Sequence, residues 1–523
     1  MVSVAHAKRL VFLVHRWTGV AACVLMALWV VSGAVMLFVG YPKLLPAQRL
    51  GALPPLAAAR CCLPVEAALL HSRAPEAVQQ ITLTSVAGHP RYRLKEGDGT
   101  LRMVDAVTGA VLPRADEAAG LRSAHAFLPG SEGTVQGWTQ DDRWTHSGQL
   151  DPHRPLIQVQ MQDPAANLLY ISSATGEVVM AVPRMQRYWN YVGAWLHWVY
   201  AFRDGARDPV WSWIVIGLSA VGTLSALAGA LVGIWRWRFA GRYKSGSRTP
   251  YREFQMRWHH ITGLVFGTVM ILWIFSGLMS MNPLGIFSPA GARPDLRAYQ
   301  QGSPGTTRPA LGAHDALTML QAAGFDTREI DWKVLGGQPY LLASDGTGAT
   351  RVLVSASDGL IQLREELEPA ALERAARTLL PFDLRSATWM QSFDAYYYRR
   401  DEASMYGSAS RGLPVLRVQF GDPGATMAYI SPASGDVVLS VDRAQRTGRW
   451  LFNFLHSWDL SWMLRNAWPR QLVLVLLSMG AFALAATGVI LGYRRLVLSV
   501  GRRVRTRNQR SATAEKGVAH SRG

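Results

Sequence analysis

Four apolar runs stand out along the chain: Leu10 to Val39, Val210 to Trp235, Ile261 to Met281 and Leu472 to Leu491. A membrane-spanning helix needs about 20 mostly apolar residues, so each run predicts one span. The first follows Lys8 and Arg9 and has the position of a signal peptide. Its near-copy inside the chain argues instead for a retained helix. Two polar segments, 42–186 and 283–444, separate the spans and alternate in the manner of α+β domains. Each opens with a short apolar-periodic helix (Val65 to Leu70; Asp315 to Ala322) and continues in strands with period-two patterning. The turn signals Ala174-Thr175-Gly176 and Ala433-Ser434-Gly435 lie between later strands and predict hairpins. Two aromatic stretches, YWNYVGAWLHWVYAF and RWLFNFLHSWDLSWM, are too short to span and read as interfacial helices at the headgroup level.

The pattern repeats. HRWTGVAACVLMALWVVSG from His15 returns as HHITGLVFGTVMILWIFSG from His259 at an offset of 244 residues. The segment from Pro155 returns from Pro414 at an offset of 259, and at that offset His197 falls on His456. The expected architecture is an α-helical four-span bundle with two α+β outer domains, a tandem duplication about a pseudo-twofold axis along the membrane normal. Its parts are a first span (1–41), a first outer domain (42–186), an interfacial helix with the second span (187–240) and a basic linker (241–257). The third span (258–282), second outer domain (283–444), interfacial helix with the fourth span (445–494) and a basic tail (495–523) follow.

Charge sets the orientation. A formal net charge of +18 over 523 residues raises nucleic acid as a partner, but the cations sit beside the spans. Arg236, Arg238, Arg242, Lys244, Arg248, Arg252 and Arg257 line the linker, and Arg494, Arg495, Arg502, Arg503, Arg505 and Arg507 the tail. By the positive-inside rule both regions are cytoplasmic and the two large segments lie outside, so the charge is read as topology and no nucleic-acid partner is expected. The three cysteines form no CxxCH or CxxC pattern.

Ionisable residues in or beside a membrane helix are functional candidates by default. His15 and His259 lie at one depth near the cytoplasmic end of the first and third spans, and His197 and His456 precede the second and fourth at the outer surface. Facing copies across the axis make each pair a candidate two-ligand metal site, the two separated by roughly half or more of the ~30 Å hydrocarbon core. Zinc wants three or four ligands, whereas haem iron needs only axial ones and an apolar slot. Two b-type haems are therefore expected, with Gly19, Ala22, Gly263 and Gly267 opening the slot. The repeat selects His259 over His260, whose place in the first copy is taken by Arg16. His125, His146, His153 and His314 have no histidine counterpart and are read as surface residues.

The motifs HRWTG and HHITG at span starts, DP…YIS…G-x-VV in both outer segments, and WLHW and FLHSWD before the even spans resemble the PepSY-associated transmembrane family, the bacterial iron-regulated membrane proteins, over nearly the whole chain. That resemblance implies PepSY-like periplasmic domains on a bacterial inner membrane. For members tied to siderophore uptake it implies a haem protein that reduces ferric siderophore iron to Fe(II). No nucleotide or flavin motif is visible, so a separate cytoplasmic or quinol donor is expected. PepSY domains also serve as protease-inhibiting or protein-contact modules, which leaves a regulatory or protein-binding membrane protein without redox activity as the alternative. Spans broken by Gly or Pro at matched positions, the mark of a transporter, do not stand out.

Overall fold

The computed structural model describes residues 4–520 except 206, 207, 310, 357, 403, 405, 406 and 408–410, with the backbone alone for residues 60 and 499–520. Four long helices carry the apolar runs: α1 (Val4–Met36), α2 (Pro209–Arg236), α3 (Phe254–Ser280) and α4 (Ala467–His520), the last apolar over Ala467–Leu498. Their starts follow from local chemistry. Asp208 accepts the Trp211 N–H with Pro209 in the first helical position, and Glu253 accepts the Met256 N–H, so each cap satisfies an otherwise orphan donor. The helices begin or end several residues away from the apolar runs because polar residues such as Lys8 and Arg9 continue the helical turn while their head groups reach outward.

The helices form a ring in which α1 and α3 each pack on both α2 and α4, which puts α1 and α3 diagonally opposite. Ala22, Met26, Val30, Met270, Ile274, Ala481 and Ala485 fill the centre. Val24, Leu28, Leu224, Leu231, Val265, Leu476 and Met479 point outward and are exposed. An apolar exterior around helices whose backbone is internally bonded is what a bilayer requires, and the chain is a membrane protein.

Both large segments lie at the end of the bundle where α1 and α3 finish and α2 and α4 begin. The first contributes β1 (Gln80–Val86), β2 (His89–Lys95), β3 (Leu101–Asp105), β4 (Gly133–Thr139), β5 (Leu156–Met161), β6 (Leu168–Ser172) and β7 (Val178–Val182). The second contributes β8 (Thr327–Leu335), β9 (Gln338–Asp345), β10 (Thr350–Ser355), β11 (Ile361–Arg364), β12 (Leu384–Met390), β13 (Val415–Phe420), β14 (Met427–Ile430) and β15 (Val437–Val441). Strands β4–β7 and β12–β15 form two four-stranded antiparallel sheets of matching order.

The remaining strands do not stay in separate domains, as the sequence suggests. They join in one seven-stranded sheet, ordered β11-β10-β9-β8-β1-β2-β3. The seam is antiparallel, with Ile81 opposite Trp332, Thr82 opposite Asp331 and Leu83 opposite Ile330. Pairing removes two edge strands at once and merges their apolar faces into one core around Ile81, Leu83, Leu94, Ile330, Trp332 and Leu341. Charges at the seam are matched: Arg49 donates twice to Glu329 at 2.6 Å, Thr84 Oγ1 donates to Glu329 at 2.7 Å, and Arg93 pairs with Glu177. Buried charges persist where partners satisfy them in this way.

Candidate cofactor site: two facing histidine pairs

His15 on α1 and His259 on α3 meet across the bundle centre, their ring centres 6.2 Å apart and their planes 23° from parallel. Neighbouring helices fix each ring through Nδ1. His15 Nδ1 lies 3.1 Å from the Ser225 carbonyl on α2, and His259 Nδ1 lies 3.3 Å from the Leu484 carbonyl and 3.1 Å from Thr487 Oγ1 on α4. A carbonyl only accepts, so Nδ1 carries the proton and donates. Thr487 spends its own hydroxyl hydrogen on carbonyls of its helix, 2.8 Å from Leu484 O, which leaves its oxygen free to accept.

The second pair is His197 and His456, with ring centres 5.9 Å apart and planes at 69°. His197 follows the wide helical turn Tyr191–Trp195 and His456 the turn Arg449–Phe454. The chain then bends at left-handed Val199 (φ 55°) and Trp458 (φ 53°), which stops both helices and leaves the histidines at the bundle end. These rings are held by serines of the spanning helices: Ser32 Oγ is 3.0 Å from His197 Nδ1, and Ser276 Oγ is 3.0 Å from His456 Nδ1. Each serine donates its hydrogen to the carbonyl three residues back, Trp29 O at 3.2 Å and Trp273 O at 3.0 Å. The serine oxygens therefore accept from Nδ1–H, and all four histidines are assigned one tautomer, with no hydrogen bond at Nε2 among the described residues.

Glycine makes room for the rings. A Cβ on Gly229 would lie 2.6 Å from His15 Cε1, and one on Gly488, 259 residues later, 3.4 Å from His259 Cε1. Gly33 and Gly277 stand in the same relation to His197 and His456, at 3.5 and 3.8 Å. The slot-forming residues expected from sequence are placed differently: Gly19 faces Ser225, Gly263 faces Leu484 and Ala22 packs in the bundle core. Gly267 is buried, yet a Cβ there would meet nothing within 4 Å, so open space lies inside the bundle beside it.

The two pairs are stacked along the bundle. Seventeen residues separate His15 from Ser32 and His259 from Ser276, about 25 Å of helix rise. Two imidazole nitrogens each about 2 Å from one metal put the ring centres about 6 Å apart, the separation seen in both pairs. Among the described residues, no group of three or more His, Cys, Asp or Glu gathers to hold a bare ion. Two nitrogen ligands in an apolar bundle fit the axial positions of a haem.

His260 stands apart, because Thr249 Oγ1 at 2.7 Å and the Gly233 carbonyl at 2.9 Å occupy both of its ring nitrogens. Of the four histidines read as surface residues, only His314 is exposed. His146 binds Asp141 at 2.8 Å, His153 binds Ser172 Oγ at 3.0 Å, and His125 is half-buried. Cys61 and Cys62 pack beside the core of the large sheet. The anchoring residues Ser32, Ser225, Ser276 and Thr487 and the ring-facing Gly33, Gly229, Gly277 and Gly488 are new from the structure. Their signal in sequence was a polar or small residue recurring at one register of an apolar span.

No curated protein matches the chain. The model of the PepSY-associated TM region matches residues 12–495 of its 523, a stretch holding both histidine pairs, most of each of the four apolar helices and the three sheets of the described residues. The chain belongs to the PepSY-associated TM region family.

Proposed function

We propose that the protein carries electrons across a bacterial inner membrane through two b-type haems, one between His15 and His259 and one between His197 and His456, and reduces ferric siderophore iron at the periplasmic face to Fe(II). The observation that carries this reading is the pairing of the histidines. Four imidazoles, each tied down through Nδ1, stand in two pairs whose ring centres have the separation two axial ligands need. Hydrogen bonding at the far nitrogen fixes ring orientation and raises ligand basicity. When bound, a bis-histidine haem takes up and gives up a single electron at its iron.

The protein's own part is placement. The bundle holds the two ligand pairs on one axis, about 25 Å of helix rise apart, with Met26, Trp29, Met270 and Trp273 among the residues packed between. The basic linker and tail lie at the His15 end and support a cytoplasmic assignment for it; the sheets are then periplasmic. A separate cytoplasmic or quinol donor supplies the electrons, and an oxidised acceptor, ferric iron held by a siderophore, receives them one at a time as Fe(III) becomes Fe(II).

The seam supports the reading as a tandem duplication. At an offset of 249, Ile81, Thr82 and Leu83 fall on Ile330, Asp331 and Trp332, and the observed pairs Ile81–Trp332 and Leu83–Ile330 map onto each other under that exchange. This is an isologous contact, with the axis through Thr82 and Asp331. The test of function is the reduced-minus-oxidised spectrum of purified protein, followed by anaerobic oxidation with ferric siderophores. Two haems per chain and reoxidation by a siderophore are expected; colourless protein from iron-replete cells would overturn the reading.

A further inference from the structure

The second half carries a charge cluster beside His456. Asp459, buried to 1% exposure, accepts from Arg400 Nε at 2.6 Å and from Arg470 Nη2 at 3.4 Å. Its backbone carbonyl accepts from Arg449 Nη2. Arg470 also donates to the carbonyl of Ser457, the residue after His456, at 2.6 Å. Arg449 is 8% exposed, donates Nε to Ala395 O at 3.1 Å and lies 4.3 Å from the ring centre of Tyr398. Arg411 donates to the carbonyl of that same tyrosine at 3.1 Å. Two guanidiniums thus hold the buried carboxylate, a third holds its backbone carbonyl, and the fourth joins them through Tyr398. At the repeat offset of 259, positions 449, 459 and 470 fall on Asn190, Tyr200 and Trp211, so the cluster belongs to the second half.

Two of its donors are left over: Arg449 Nη1 and Arg411 Nε are buried and have no hydrogen-bond partner among the described residues. A buried guanidinium is tolerated when an anion and hydrogen bonds compensate it, and Asp459 already shares its oxygens between two arginines. Planar guanidinium forks match the two oxygens of a carboxylate.

We propose that Arg449, with Arg411 beside it and Arg400 and Arg470 behind, binds a carboxylate group next to His456. That carboxylate comes either from the edge of a haem held by His197 and His456, a source that rests on the function proposed above, or from a soluble ligand arriving at this face. Placed between Arg449 and the His456 pair, it sets both the position and the local charge of the outer site.

The test uses full-length protein in detergent with Arg449→Gln, Arg449→Lys and Arg411→Gln, read in two arms. The first follows haem transfer to apomyoglobin and the midpoint potential of each centre. If the haem supplies the carboxylate, Arg449→Gln speeds the loss of one haem about tenfold, the scale of one charged hydrogen bond. It shifts that haem's potential alone, and Arg449→Lys restores part of both. The second arm titrates citrate by calorimetry, and a soluble source predicts binding to the wild type that weakens about tenfold in Arg449→Gln. Either result supports the site. It is overturned if Arg449→Gln and Arg411→Gln, folded by their melting curves, leave haem transfer and potentials unchanged and citrate fails to distinguish them from wild type. In a colourless protein citrate alone decides the carboxylate site, so the failure of one proposal is told from the failure of the other.

Discussion

Each facing histidine depends on a small set of neighbours, and these predict distinct losses. Replacing His15 or His259 by Ala is expected to remove the inner haem and leave the outer, and His197→Ala or His456→Ala to do the reverse, measured as haem stoichiometry and as the number of redox steps. Ser32→Ala and Ser276→Ala keep Nε2 but leave a buried Nδ1–H without its acceptor. Loss of such a partner typically weakens a metal site 10- to 100-fold, and here the outer haem is expected to exchange faster while the inner one is unaffected. Gly229→Ala drives a methyl to 2.6 Å from His15 Cε1, so it is expected to lower inner haem content alone. Gly217→Ala, where a Cβ meets nothing within 4 Å, is the control. The histidines were legible because two of them recur at the same register of two similar apolar spans. Their anchors were less so: Gly229 and Gly488 are two among 48 glycines, and only the packing of α2 and α4 onto the rings sets them apart.

At the scale of elements, apolar length made the four helices readable, and period-two alternation with Gly turns made most strands readable. The seam between β1 and β8 was not, since strands some 250 residues apart pair through their edges and an edge leaves no local pattern. The outer elements also set a pH dependence. Burial holds the His153 imidazole below its ordinary pKa of 6.5, with Glu177 acting the other way, and burial holds His146 down against its Asp141 bond. The folded state then binds fewer protons than the unfolded chain, so stability rises with pH through this window and is lost as pH falls below about 6.5. Each group contributes at most about 1.4 kcal/mol per pH unit. Melting curves between pH 7.5 and 5 are expected to shift downward on acidification, and His153→Gln to flatten that shift; an unchanged slope in the variant would assign the pH dependence to other groups.

For the whole molecule, what matters is which end faces which compartment, because the proposed electron path has a direction only once the His15 pair and the His456 pair are assigned to sides. The bundle separates them physically: the linker between α2 and α3 is at one end, and the turn between β9 and β10 is on the sheets at the other. Ser245 in the linker and Thr347 in that turn are both exposed, so a cysteine at either site is available to a reagent without disturbing the core. The background is removable: Cys23 is buried, and Cys61→Ser with Cys62→Ser takes away the other two thiols. With arginines concentrated beside the linker end and cytoplasmic loops favouring such residues, a membrane-impermeant maleimide is expected to label Thr347→Cys in intact spheroplasts. It should label Ser245→Cys only after permeabilisation. The reverse pattern would put the sheets and the arginine cluster beside His456 in the cytoplasm, where a ferric siderophore outside could not reach them, and the direction of electron flow would have to be read the other way.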